Sequence, residues 1–424
     1  MKIFNKNYEL MENGDSINDG YFVNVYADIM RLMGYVSMQG AIIIKKPNST
    51  STYYLLHSYI GFSQELNIGT YGAKLLATEI DMSANNGLGK VISKNKTIID
   101  DTIGTSVSAC RHANGEDWWI VVQEQNSNCF YKVLIDKNGI SPNIKKDCEG
   151  PPSSILVHYS SSSCFSPNGK TYTYLSRSDG LYIFDFDRCT GKLSNRRNIR
   201  IPEIQDSLFL GYGVSVSPNS RFLYLTSTFY IHQYDLTALD ILSSKTQIAH
   251  FDNYKDTLNW IPYAFFQSMQ LAPDNRIYIG TGNATYFCHV ISLPDKKGDS
   301  CYFVQRGLKL PTISCGVPNF PYFRLGKAES ICGVGLEHLN NDKVEIVIYP
   351  NPSSDQFTID FKDLFEGKLH IMITNMQGAV IKNVFAEKEL VLIKIQDWQT
   401  GIYAVNIYNQ YGVNLLKKEI HIIH

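Results

Sequence analysis

The sequence predicts an all-β fold in two modules, a repeat array followed by a small β-sandwich. Three observations predict it: Gly and Asn punctuate many short apolar runs, aromatic residues reach 12% with 27 Tyr, and one turn-plus-strand pattern recurs at wide spacing. Aromatic and β-branched residues suit a pleated, half-buried surface, and Gly, Asn and Asp supply the tight turns between strands. A chain of 424 residues allows two or three domains, or one large array with an appended module.

Four copies of the pattern align: HANGEDWWIVVQ from His112, SPNGKTYTYLS from Ser166, SPNSRFLYLTS from Ser217 and APDNRIYIGTG from Ala272. Their turn residues Asn114, Asn168, Asn219 and Asp274 are separated by 54, 51 and 55 residues, and a weaker fifth copy, KPNSTSTYYLLHS, starts at Lys46. That period fits one blade of a β-propeller, a four-stranded antiparallel unit. Pro or Ser opens the turn, Asn or Asp takes the left-handed conformation, and the alternating aromatics that follow pack between blades. A second strand often follows, as in GLYIFDFD from Gly180 and FYIHQYDL from Phe229. Propellers of this kind commonly close with more units than the five seen here, and an open ring exposes sheet edges. The shortfall points to the N-terminus and to a shortened first blade.

The propeller is expected to span 1–326, and the polar, Gly-containing stretch KAESICGVGLEHLNNDK (327–343) reads as a linker. From Val344 short alternating strands take over, in VEIVIYPNP, QFTIDF, KLHIMITNMQGAVIKNV, ELVLIKI, GIYAVNIYN and LLKKEIHI. They predict an Ig-like, seven-strand sandwich over 344–424. Pro350 and Pro352 stop strands from extending, Gly378 makes a hairpin turn, and Gly401 opens a strand whose Tyr403 packs inward.

Lys plus Arg number 39 against 40 Asp plus Glu, and no stretch concentrates basic residues. The electrostatic footprint of a nucleic acid or anionic membrane partner is therefore missing. Residues 1–30 lack the roughly 7–15-residue apolar core of a signal peptide, and no run approaches the ~18 apolar residues of a membrane span. Nine cysteines, at 110, 129, 148, 164, 189, 288, 301, 315 and 332, form no Cys-x-x-Cys pair, which argues against a zinc or redox motif. Cys129 with Cys148, and Cys288 with Cys301, are candidate disulfides on sequence proximity, against the simpler reading of small buried residues.

Catalytic motifs do not emerge, and no catalytic, cofactor or metal residue is predicted. GYGVSVS from Gly211 lacks the spacing of a nucleophile elbow, and Ser93-Lys94-Asn95-Lys96 matches Ser-x-x-Lys without its partner motifs. Asp100-Asp101 is an adjacent pair, and Asp185 and Asp187, with Asp179, carry oxygen donors for calcium, but aspartates flanking blade turns explain them more simply. The histidines at 57, 112, 232, 250 and 289 are dispersed. Trp118 and Trp119 face opposite sides of one strand: both pack between blades, or one reaches a channel or face where it stacks on a sugar, and the same choice holds for Tyr172 and Tyr174.

Four groups of residues carry a family resemblance: Tyr349, Pro350, Asn351 and Pro352 with Phe357 and Ile359; Asn375 to Gly378 with Val380; Thr400, Gly401, Ile402 and Tyr403 with Val405; and Lys418 with Ile420 and Ile422. Together they resemble the type A C-terminal sorting domain of the type IX secretion system, with Asn375 where that family often has Asp. The resemblance implies recognition by the type IX secretion machinery, transport across the outer membrane, and removal of the domain. The remainder would be released or joined to surface lipopolysaccharide, an extracellular or outer-membrane-surface location. Residues 3–17 and 38–56 resemble the opening of secreted propellers of Bacteroidota, and GVPNFPYFRLG from Gly316 resembles their closing segment. In those relatives a signal peptide and further strands come first, which implies that Met1 lies inside a longer reading frame.

Three functions stay open for the propeller. It binds an extracellular ligand, a protein or a glycan; it is an enzyme with carboxylates around the channel; or it is a structural or adhesive surface protein. Acidic groups converging at one mouth would favour the enzyme, and an extended apolar patch the adhesin.

Overall fold

The structure is a computed structural model that describes residues 1–20, 37, 39–63, 69–125, 127–150, 161–176, 180–199, 201, 213–256, 263–314, 316–328, 332, 346–361, 369–386, 388–408 and 414–424. Its contacts divide it into two compact units, Met1–Gly333 and Val334–His424.

Among the described residues the first unit holds five antiparallel sheets, each built from strands consecutive in the chain. The first is β1 (Ala41–Lys45), β2 (Thr52–Ser63), β3 (Gly69–Asp81) and β4 (Lys90–Ile99). The second is β5 (Ser108–Arg111), β6 (Trp118–Gln123), β7 (Cys129–Asp136) and β8 (Gly139–Ile140), with β9 (Lys145–Cys148) also pairing to β7. The third is β10 (Ser162–Phe165), β11 (Thr171–Ser176), β12 (Gly180–Phe186) and β13 (Leu193–Ile199). The fourth is β14 (Gly213–Val216), β15 (Phe222–Ser227), β16 (Tyr230–Asp235) and β17 (Thr246–His250), and the fifth is β18 (Met269–Leu271), β19 (Ile277–Ile279), β20 (Thr285–Ile291) and β21 (Phe303–Ser314).

All five sequence repeats fall on the turn between the first and second strand of a sheet. The chemistry of that turn is divided between two residues. In four copies the residue after the Asn or Asp takes the positive φ, at Gly115, Gly169, Ser220 and Asn275, and only in the first does Asn48 itself do so. The Asn or Asp instead accepts backbone N–H groups further round the turn: Asn168 from Lys170, Asn219 from Arg221 and Asp274 from Arg276. The two Ser-Pro-Asn copies add the same bond, Ser166 or Ser217 donating to the Asn side chain at 2.7 Å.

Successive sheets pack face to face. Trp118, Ile120 and Val122 join Ile42, Leu56 and Leu75 between the first and second sheets, while Trp119 and Val121 join Tyr172, Tyr174 and Phe184 between the second and third. Leu175 and Ile183 meet Val214 and Leu223, and Phe222 and Tyr224 on the other face meet Met269 and Ile277. Strands such as β6 and β15 are therefore buried along their whole length, so WWIVVQ and FLYLTS read as apolar runs rather than alternations. At roughly 1.5–3 kcal/mol for each large side chain buried, these interfaces dominate the unit's stability.

Among the described residues the second unit has two sheets: β22 (Val347–Tyr349), β23 (Gln356–Asp360) and β26 (Leu390–Lys394) in the order β22-β23-β26, and β24 (Leu369–Asn375), β25 (Val380–Ala386), β27 (Gly401–Tyr408) and β28 (Asn414–Ile422) in the order β25-β24-β27-β28. Phe357, Ile359 and Ile393 of the first sheet share one core with Ile371, Ile373, Val405, Ile407 and Ile420 of the second.

Candidate functional site

In the second unit the resemblance residues, far apart in the chain, meet at one sheet edge. Tyr349 ends β22, and Pro350 and Pro352 have no N–H to continue a ladder. The side chain of Asn351 supplies the missing pair: Nδ2 donates to Glu419 O at 2.9 Å and Oδ1 accepts from His421 N at 2.8 Å. Ser353 continues the contact, donating its N–H to His421 O and accepting from Ile423 N. The 351–353 segment thus lies along the outer edge of β28, on which Lys418 is exposed and Ile420 and Ile422 are buried. Gly401 begins β27 opposite Ile422. Tyr403 is buried, donates its hydroxyl to Gln399 O and packs 5.0 Å from the Trp398 ring. Gly378 sits at φ 83° in the hairpin, and Asn375 accepts N–H groups from Gln377 and Ala379. Acceptance is all the turn asks, so Asn serves as Asp would.

In the first unit one cavity of about 50 Å³ is lined by the first strand of every sheet: Ile42, Ser108, Ser163, Val214 and Met269 with their neighbours, closed by Gln39 and residues 319–322. Hydroxyls pave it. Ser108 and Ser163 of the lining lie 2.6 Å apart, Ser106 and Ser161, outside the lining, continue the bonds from Ser163, and the Gln39 side chain accepts Ser163 N at 2.8 Å. Among the described residues the lining contains no carboxylate, ammonium, guanidinium or imidazole, and the volume suits about a few water molecules rather than a sugar ring.

Trp118 and Trp119 do not reach this cavity. They are 1% and 2% exposed, one on each face of β6, and Arg111 lies over Trp118 while Lys145 lies over Trp119. Both rings are buried in the packing between sheets, the first of the two readings that the sequence left open. Tyr172 and Tyr174 are buried in the same way. Asp187 accepts from Cys189 N and the Thr190 hydroxyl, and Asp185 pairs with Arg197 and Asn195; Asp179 lies outside the described residues. Among the described residues no three His, Cys, Asp or Glu side chains converge as a metal site.

The segment from Gly316 crosses several sheets. Asn319 Nδ2 donates to Val107 O at 2.8 Å, Ala41 O at 3.0 Å and Gln39 O at 3.3 Å. Gln270 of β18 donates to Phe320 O, and Phe323 meets Trp118 edge-on. Arg188 binds the carbonyls of Arg111, His112 and Gly326, and Ala328 donates to Ala113 O. Cys332 is bonded to Cys189, so the start of the stretch expected as linker is docked on the first unit. Cys129–Cys148 also forms. Cys288 and Cys301, the other candidate pair, are buried thiols: Cys288 lines one side of the fifth sheet, while Cys301 sits in the core on the other. Beside Cys288 an apolar cavity of about 450 Å³ lies against Leu308, Leu310, Val317 and Phe320, a feature the sequence reading missed because its walls come from separate runs, LKLP and GVPNF.

No curated protein matches the chain. Among solved structures, PorZ of Porphyromonas gingivalis, described as an essential surface component of the type-IX secretion system, is similar at 10% identity and TM-score 0.34, covering 92% of this chain. The chain spans 60% of the PorZ length. The periplasmic gluconolactonase PpgL of Pseudomonas aeruginosa is similar at 10% identity and TM-score 0.37, over 88% of this chain and 97% of its own. A putative 6-phosphogluconolactonase of Bacteroides uniformis stands at 12% and 0.36, over 90% and 85%. Residues 347–422 match the family described as the secretion system C-terminal sorting domain, and the chain is an all-β protein that ends in that domain.

Proposed function

We propose that the chain is exported by the type IX secretion machinery under the direction of residues 344–424. On this reading residues 1–326 are the cargo, a closed five-bladed propeller whose rim loops bind an extracellular protein or glycan. The sorting-domain match over 347–422 carries the export half. Support for the ring comes from one cavity lined by the first strand of all five sheets, with Asn319 bonding the first two from beyond the fifth. A five-bladed ring takes β1–β4 as a full blade, in place of the shortened one expected from the repeats. Binding belongs to the rim because the axial cavity is small and neutral. The two sheet orders of the second unit fit an Ig-like sandwich.

Export is tested by expressing the chain behind an N-terminal export signal in a type IX-competent bacterium, with and without residues 344–424. The full chain is expected at the surface or in the medium and the deletion in the periplasm; a deletion that still reaches the surface overturns the reading. Probing the secreted chain on a glycan array tests the cargo's ligand, where retention of one glycan class is expected and none removes the glycan.

A further inference from the structure

The two sheets have four lateral edges among the described residues, of which two are blunted and two, at β25 and β26, are bare. The edge at β28 is occupied by Asn351 and Ser353. The edge at β22 is three residues long and runs into Pro350 and Pro352, the usual ways of blunting a sheet edge. β25 is different. It is seven residues long, pairs with β24 on one side, and has no backbone partner on the other among the described residues.

Its side chains are as unusual as its backbone. An edge strand over a core should alternate, but four consecutive residues from Val380 are exposed, so this first half of the strand overhangs the core with both faces bare, while Val384 and Ala386 pack onto it. Val380 is 56% exposed, Ile381 38% and Phe385 63%, and Leu390 and Leu392 of β26, the next strand in the chain, stand 56% and 52% exposed. One positive charge, Lys382, is all that guards the strand. A long, apolar, unpaired edge is an invitation to strand addition, in which main-chain hydrogen bonds give affinity and alternate side chains give specificity.

We propose that β25 is the docking strand of the sorting domain: an extended segment of the type IX machinery adds to the sheet beside β25 and covers Val380, Ile381 and Phe385. The occupant must be an extended backbone, because an unpaired ladder presents alternating N–H and C=O groups that only another strand satisfies in register. The proposal rests on the export reading and adds to it the face that is read.

The full chain with an export signal is compared, in a type IX-competent host, with the double variant Ile381→Lys/Phe385→Lys, the control Ile423→Lys at an exposed apolar position just beyond β28 and outside the four motif groups, and the 344–424 deletion. Exported protein is expected to fall at least about ten-fold in the double variant and to stay at the parent level in the control. A double variant exported like the parent, beside a deletion that is retained, overturns the docking strand and leaves the export reading intact. A deletion that is itself exported overturns the export reading. Because lysines could disturb folding, a photocrosslinking p-benzoylphenylalanine at position 385 is the second measurement. It should capture a component of the secretion machinery that the same group at 423 does not, and equal capture from both sites, or from neither, overturns the proposal. A purified parent dimer that the double variant splits into monomers, with export unchanged, assigns the edge to a second copy and also overturns it.

Discussion

Asn351 and His421 are 70 residues apart in the chain, yet the Asn351 side-chain carbonyl accepts the His421 backbone N–H at 2.8 Å, while its amide donates to Glu419 O at 2.9 Å. One side chain thus acts as a peptide group between two prolines that have no N–H to offer. Asn351→Ala should cost the second unit about 1–3 kcal/mol, the net value of two such bonds. Hydrogen exchange at the His421 amide should accelerate at least about ten-fold, with little change at amides of β23. An unchanged His421 rate would show the pairing to be dispensable.

Asn319 makes the corresponding tie in the first unit, to the carbonyls of Val107, Ala41 and Gln39. Only donors satisfy that site. Asn319→Ala should destabilise the unit by about 1–3 kcal/mol, and Asn319→Asp should be worse than Ala, since it sets a carboxylate against carbonyl oxygens. Urea midpoints of the two variants provide the check, and Asp matching the parent would refute the tie.

Local chemistry was legible in the sequence and distant pairing was not. The five repeat turns could be found from Asn, Asp, Gly and Ser because the bonds that shape each turn from within span five residues or fewer, although Asn168 and Asn219 also donate their N–H groups to distant side chains. Even so, the residue in the left-handed conformation is displaced by one in four copies, because the Asn or Asp side chain is spent on turn N–H groups and the flexible residue follows it. Trp118 and Trp119 were legible as opposite faces of a strand, but the destination of each face depends on sheets whose packing no local pattern encodes. Cys129–Cys148 was visible because β7 and β9 pair within one hairpin, whereas Cys189–Cys332 joins residues 143 apart. The sorting-domain residues were visible as strand stops and turns, while the Asn351 bonds to β28 have backbone partners and so leave no trace in residue type.

The two disulfides should differ in weight. Cross-linking restricts the unfolded chain more when the loop is longer, and the loops here are 19 and 143 residues. The chain-entropy estimate is about 3 kcal/mol for Cys129–Cys148 and about 5 kcal/mol for Cys189–Cys332, both upper bounds. Cys332→Ser should therefore lower the thermal midpoint of the first unit more than Cys148→Ser does. It should also speed proteolysis within 316–332, the segment that its disulfide pins. The reverse order of midpoints would mean that the clasp adds little beyond its hydrogen bonds.

Acid should loosen the first unit through two neutral histidines. His57 is buried, donating Nδ1–H to Asn18 Oδ1 at 2.6 Å and accepting from the Thr78 hydroxyl at Nε2. His289 is buried too, with Nε2 donating to Phe265 O and Nδ1 accepting from Arg306 N. Burial pushes both down to about 4, against about 6.5 in an unfolded chain. Between those values the unfolded state holds protons that the folded state refuses, so the stabilisation is complete above about pH 6.5 and is lost as the pH falls towards 4. Asp235, held at about 2 by the Arg221 guanidinium, begins to contribute its own loss only below about pH 4. Urea midpoints of the parent should therefore decline from pH 7 to 4.5. In His57→Gln the midpoint at pH 7 should be lower and the decline about half as steep, because one of the two titrating groups is gone; a decline of the parent's full steepness would remove His57 from the account.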